Sequence, residues 1–113
     1  AKAIIIRHKG TFSMIVISAS RKMDSKKVKK VLGSKSISFA TAQEVAQLTD
    51  GVITGGVPPF GSLFGLKTYM DDSMLALEDI DFNAGLRTDS VHMSRADYQL
   101  VEKPEVVDVH MDE

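Results

Sequence analysis

The sequence predicts an α+β fold: a curved, mixed and mostly antiparallel sheet, barrel-like in its curvature, with short helices packed around it. Three observations carry this expectation. Short runs rich in β-branched and apolar residues recur along the chain, as at residues 2–8 (KAIIIRH) and 12–18 (FSMIVIS). Helix starts are few, and each is followed by less than three turns of apolar periodicity. No regular alternation of strands with helices of ten or more residues is present, which disfavours a doubly wound parallel sheet.

The elements follow in order. Residues 2–8 and 12–18 flank the polar, glycine-containing break His8-Lys9-Gly10-Thr11 and read as a β-hairpin. Asp24 caps a helix over 26–32 that places Val28, Val31 and Leu32 on one face and Lys26, Lys27, Lys29 and Lys30 largely on the other; Gly33 is its stop. Residues 37–39 are a short alternating strand. Thr41 and Glu44 form the S/T-x-x-E pattern of a capping box and open a second helix, ended by Thr49-Asp50-Gly51. Strands are expected at 66–70, 80–84 and 90–93, with a helical or turn segment at 74–77. Ser94-Arg95-Ala96-Asp97 opens a third helix to about 101, and Pro104 ends it. A last strand over 105–109 is expected to lead into a frayed acidic end at 108–113.

Composition bounds the function. With 113 residues, 43% hydrophobic and 26% charged, the chain fits one globular domain over 1–113. No run approaches the roughly 18 apolar residues of a membrane span, and nothing reads as a secretory signal. The absence of cysteine removes disulfides and thiolate metal sites and fits a cytoplasmic protein. His8, His92 and His110 lack the close spacing of metal ligands, so no metal is expected. The net charge of −1 hides an asymmetry: residues 1–35 hold ten Lys/Arg and one acid, residues 36–113 four Lys/Arg and fourteen acids. A basic end attracts phosphate backbones without sequence specificity; it also suits a solvated, lysine-rich helix face.

The least ordinary stretch is Thr54-Gly55-Gly56-Val57-Pro58-Pro59-Phe60-Gly61. Paired glycines permit positive φ and close backbone approach to a ligand. Consecutive prolines stiffen the loop, and the residue before them is pushed toward extended geometry. Such a loop suits binding a carbonyl or anion through N–H groups. It lacks the spacing of a Walker loop. From composition alone, the simpler reading is a rigid turn joining two strands.

This loop, followed by a strand, an acidic turn and then Phe82-Asn83-Ala84-Gly85, resembles the YbaK/ProX family of aminoacyl-tRNA deacylases, which includes free-standing editing proteins and the editing insertion of bacterial prolyl-tRNA synthetases. The likeness extends to residues 40–49 (ATAQEVAQLT), to Ser94-Arg95-Ala96-Asp97-Tyr98 and to Ala1-Lys2-Ala3-Ile4-Ile5-Ile6, similar to the strand that carries the family's functional lysine. Members usually begin with a helix and strand ahead of that lysine, so the resemblance implies that the 1–113 editing domain lacks them.

The resemblance implies hydrolysis, without a cofactor, of the ester joining a wrong amino acid to the 3′ end of a tRNA. One methylene is worth about 1–3 kcal/mol of discrimination, so a second hydrolytic site is needed to separate similar side chains. By the family pattern Lys2, Gly55 and Gly56 are the catalytic set: Gly55 and Pro59 form a G-x-x-x-P element whose backbone holds the carbonyl and positions a water, and Lys2 is a fixed positive charge for the terminal adenosine or its phosphate. Thr54, Val57, Pro59, Phe60, Gly61 and Asn83 are implied substrate-binding residues. Four of these have a plainer alternative of their own: a strand-end lysine for Lys2, a turn residue before Gly85 for Asn83, core packing for Val57 and Phe60. The implied partners are aminoacyl-tRNA and an aminoacyl-tRNA synthetase, with no membrane. Two rival classes stay open: a tRNA- or synthetase-binding module without catalysis, and a small-molecule hydrolase acting on other acyl esters.

Overall fold

The computed structural model describes residues 1–86 and 88–112. Strands β1 (Lys2–His8) and β2 (Thr11–Ile17) pair antiparallel in the register Lys2 to Ile17 through His8 to Thr11. Their connection is a two-residue turn with Lys9 at φ 49° and Gly10 at φ 74°. Positive φ at both positions matches the twist of the flanking strands, which explains the glycine in the break. Helix α1 (Ser25–Leu32) is capped by Asp24, whose carboxylate accepts the Lys26 and Lys27 N–H groups, and ends at Gly33 in left-handed geometry.

β3 (Ser38–Phe39) adds antiparallel to the free edge of β1. Helix α2 (Ala42–Leu48) carries both arms of the Thr41–Glu44 capping box. After the 54–61 loop and a 3₁₀ turn (Gly61–Phe64), β4 (Lys67–Asp71) joins β2 in parallel. A second 3₁₀ turn (Asp72–Ala76) leads to the antiparallel pair β5 (Asp79–Asn83) and β6 (Ser90–Ser94). Helix α3 (Arg95–Glu102) starts where the Ser94 hydroxyl accepts the Asp97 N–H, and β7 (Glu105–Val107) pairs in parallel with β4.

The sheet order is β3-β1-β2-β4-β7, with β5-β6 as a separate two-stranded sheet. Three of the five ladders between described strands are antiparallel. The expected curvature does not close a barrel, since β3 and β7 form the two edges.

The central strands are apolar on both faces. Ile5, Met14, Val16 and Met70 face one cluster, with Val45 of α2, Phe82 of β5 and Tyr98 of α3. Their strand neighbours Ile6, Ile15 and Tyr69 face the other, with Val28 of α1 and Val109. This period-2 division sends α1 to the face opposite α2 and the loop. No helix of the described residues is long and apolar enough to cross a membrane.

Two expectations are corrected here. The acidic end is not frayed up to 112: Val109 is fully buried, its N–H donates to the Asp71 carboxylate at 2.8 Å, and the Met111 N–H donates to the Lys22 carbonyl. Nor is Lys27 a free solvent-face charge. Its ammonium donates to Asp108 (3.0 Å), Asp112 (2.9 Å) and the His110 carbonyl (2.8 Å), so this lysine ties α1 to the C-terminal segment.

Candidate functional site

The loop is shaped by one turn and two staples. The Gly56 N–H donates to the Ile53 carbonyl at 2.9 Å, closing a four-residue turn with Gly55 at φ 89° in its third position. That position of a type II turn requires positive φ, which explains Gly55. The Asn83 amide donates to the Gly55 carbonyl at 2.6 Å, and the Gly85 N–H donates to the Gly56 carbonyl at 2.7 Å. A Cβ on Gly56 would stand 2.7 Å from the Gly85 carbonyl oxygen, so the two backbones meet where no side chain fits. The loop and the later Asn83-Ala84-Gly85 are thus one structural unit.

Two hollows open on this unit. A small one of about 60 Å³ is lined by Lys2 and its neighbours Ala1 and Ala3, with Gly55, Val57 and Asn83. Beside it lies a cleft of about 360 Å³ whose floor and walls include Ala3 and Ile5 of β1, Phe39 of β3, Val45 of α2, and Thr54 and Val57 of the loop. Lys2 and the loop, more than fifty residues apart, therefore converge. Among the described residues Lys2 carries the only charged side chain lining either hollow. Those lining residues include no histidine, serine or acidic side chain, and Thr54 supplies the one hydroxyl. The site offers a cation, an amide, backbone groups and an apolar wall.

The rest of the expected set goes elsewhere. Gly56 is buried with its N–H engaged within the loop, so it shapes the site rather than presenting that donor to a ligand. Pro59 is fully buried, and its carbonyl accepts the Tyr98 hydroxyl at 2.6 Å. Phe60 packs edge-on against Phe82 (5.5 Å between centroids) and Tyr98 (5.2 Å). Gly61 is buried and donates to the Thr68 hydroxyl at 3.0 Å, and a Cβ there would collide with that same oxygen. Pro59, Phe60 and Gly61 thus anchor the loop in the core, behind the cleft. Sequence reasoning missed Ala3, Ile5, Phe39, Ala40 and Val45 as lining residues. The one signal for Phe39 is a large aromatic on a two-residue strand; it is 65% exposed.

The three-dimensional structure also assembles a group that linear spacing hides. Potential ligand atoms of Asp71, Asp72, Asp108 and His110 all lie within 4.8 Å of one another. Asp71 is wholly buried: burial pushes its carboxyl up, but hydrogen bonds from Ser73, the Val109 N–H and His110 outweigh burial and leave it below the ordinary value. His110, hydrogen-bonded to Asp71 at 3.0 Å, is raised above its ordinary value by that bond and by the carboxylates around it. With Lys27, this group clasps the C-terminal segment to the end of β4.

Against known proteins, the aminoacyl-tRNA editing domain family model matches residues 1–100. The chain is 31% identical over 112 residues to the multifunctional Ser/Thr-tRNA deacylase ProXp-y of Escherichia coli K12, covering 95% of this chain and 66% of that protein. Its fold superposes with a TM-score of 0.89 on a crystal structure assigned as a trans-editing enzyme for prolyl tRNA synthetase, at 22% identity and covering 98% of this chain and 69% of the other. It superposes at 0.86 on the protein APE2540, at 22% identity and covering 97% and 73%. The chain spans just under two thirds of the curated relative's length. The match across residues 1–100, with a core-anchored loop facing a strand-borne lysine, shows that this chain belongs to the aminoacyl-tRNA editing domain family.

Proposed function

We propose that this chain hydrolyses the ester between a mismatched amino acid and the 3′ end of a tRNA, in the cytoplasm and in trans to the synthetase that made the error. The observation that carries the reading is the convergence of Lys2 with Gly55, Val57 and Asn83 on one small hollow that has no acidic, histidine or serine side chain in its lining. An aminoacyl ester is already activated, so a site that orients it and places a water needs no covalent nucleophile. Lys2 supplies a compact positive charge for the anionic terminal nucleotide. The turn at Gly55 supplies backbone groups for the acyl carbonyl, and Asn83 fixes that turn through the Gly55 carbonyl. Gly56, Pro59, Phe60 and Gly61 hold the loop that does this.

The small hollow, walled by Ala3 and Val57, suits side chains of one to three heavy atoms. The relative's printed substrates, Ser- and Thr-tRNA, fall in that range, and the same size range includes alanine and cysteine. A deacylation screen over tRNAs mischarged with these four amino acids tests the reading. Turnover of at least one, lost in Lys2→Ala, is the expected result. Binding without turnover of any would return the chain to a non-catalytic tRNA- or synthetase-binding module.

A further inference from the structure

β1 joins two different places. At its start Lys2 enters the small hollow; at its end Arg7, His8 and Lys9 line an open depression of about 610 Å³, together with Ser34 and Lys35 from the segment after α1. The depression meets the apolar cleft beside that hollow at β3, where Phe39 lines the cleft and Ser38 lines the depression. The register puts Phe39 beside Ile6 and Ser38 beside Arg7. From Lys2 to Lys9 is seven residues of strand, about 23 Å.

The depression is cationic by construction. Arg7, Lys9 and Lys35 line it, and none of its lining residues is acidic. Arg7 meets the Glu44 carboxylate at 3.3 Å, and that carboxylate is also held by the Thr41 N–H. The Lys9 ammonium stands 3.9 Å from the Cβ position of Gly33, so the β1–β2 turn leans onto the end of α1 and closes one side. His8 is anchored from within by its Nε2 to the Ser13 hydroxyl at 2.8 Å. Between the basic depression and the cleft stands Phe39, an aromatic ring exposed on an edge strand. Cations that follow a groove, with an aromatic face between them, are what an unpaired nucleic acid strand requires: charge for its phosphates and a stacking surface for a base.

We propose that Phe39 and the Arg7–Lys9–Lys35 depression form the track for the unpaired nucleotides upstream of the terminal adenosine, Phe39 stacking on a base and the three cations taking phosphates. This assignment rests on the hydrolytic reading for the position of the terminal nucleotide. That surface is the β1–β3 edge together with the segment that follows α1, and not the lysine-rich face of α1 itself.

The test compares two substrates and one ligand across the wild type, Lys9→Ala/Lys35→Ala and Phe39→Ala. Arg7 is left intact because it also pairs with Glu44. For the double variant we expect KM on mischarged tRNA to rise about tenfold or more, while hydrolysis of aminoacyl-adenosine, which has no upstream phosphates, stays at the wild-type rate. Binding of a short single-stranded RNA ending in CCA should lose about 1.4 from its log–log salt slope, as two phosphate contacts on a single strand predict. Phe39→Ala should weaken that binding about tenfold without altering the slope. An unchanged KM and slope in the double variant would overturn the track, and so would an equal loss on aminoacyl-adenosine. RNA binding that falls in the variants, from a wild type that hydrolyses nothing, would keep the track and remove the hydrolytic reading.

Discussion

The two halves of the 54–61 loop are adjacent in sequence and opposite in role. Thr54, Gly55 and Val57 line the cleft, whereas Pro59, Phe60 and Gly61 are turned into the core by Tyr98, Phe82 and Thr68. The first half owes its shape to one positive-φ glycine and to hydrogen bonds from the Asn83-Ala84-Gly85 segment. The second half owes its position to burial. The difference teaches that a glycine–proline motif can be half site and half foundation. Substitution should therefore split stability from turnover at Val57–Pro58.

The largest effect is expected in the foundation. Gly61→Ala places a methyl against the Thr68 hydroxyl and the Leu66 carbonyl, and should cost about 3 kcal/mol of stability, seen as an early midpoint in urea. Lys2→Ala tests the other half. Deacylation should fall about 100-fold, with stability within about 0.5 kcal/mol of wild type, because an exposed strand-end lysine contributes little to folding. A Lys2→Ala protein with full activity would break the comparison at its functional end. Tyr98→Phe removes the hydroxyl that holds the Pro59 carbonyl and should cost about 1–2 kcal/mol, with a smaller loss of turnover than Lys2→Ala.

The smallest effect concerns the clasp between β4 and the C-terminal segment. Asp71 lies below its ordinary value, so its contribution is present above the ordinary carboxylate pKa and is lost as pH falls through the depressed one. His110 lies above its ordinary value, so its contribution is full below about 6.5 and is lost as pH rises through the raised value. The clasp is tightest between these limits. A melting-temperature profile should decline by a few degrees on the alkaline side, and His110→Gln should flatten that limb. An identical limb in the variant would show that other groups set it.

Much of the fold was legible because its signals are local. Asp24, Thr41 and Ser94 accept the N–H groups of their own helices, so α1, α2 and α3 begin within a residue of where capping chemistry puts them. The β1–β2 hairpin follows from Lys9-Gly10 for the same reason. The parallel ladders from β2 to β4 and from β4 to β7 were not legible, since such pairing depends on crossovers and not on a turn. Lys27 shows the same limit: its spacing in α1 describes a solvent face, and only the return of Asp108 and Asp112 some eighty residues later makes it an internal tie.

By itself the sequence determined the helix caps, the hairpin and the rigidity of the 54–61 loop, since each depends on residue types within a few positions of one another, and it determined the family through motifs spread from Lys2 to Tyr98. The tertiary structure decided which loop residues face a ligand, that Gly56 must be small because Gly85 lies against it, and that Phe39 borders the cleft. These are contacts between segments far apart along the chain. No local propensity encodes them; they exist only once the two faces of the sheet have chosen what to bury.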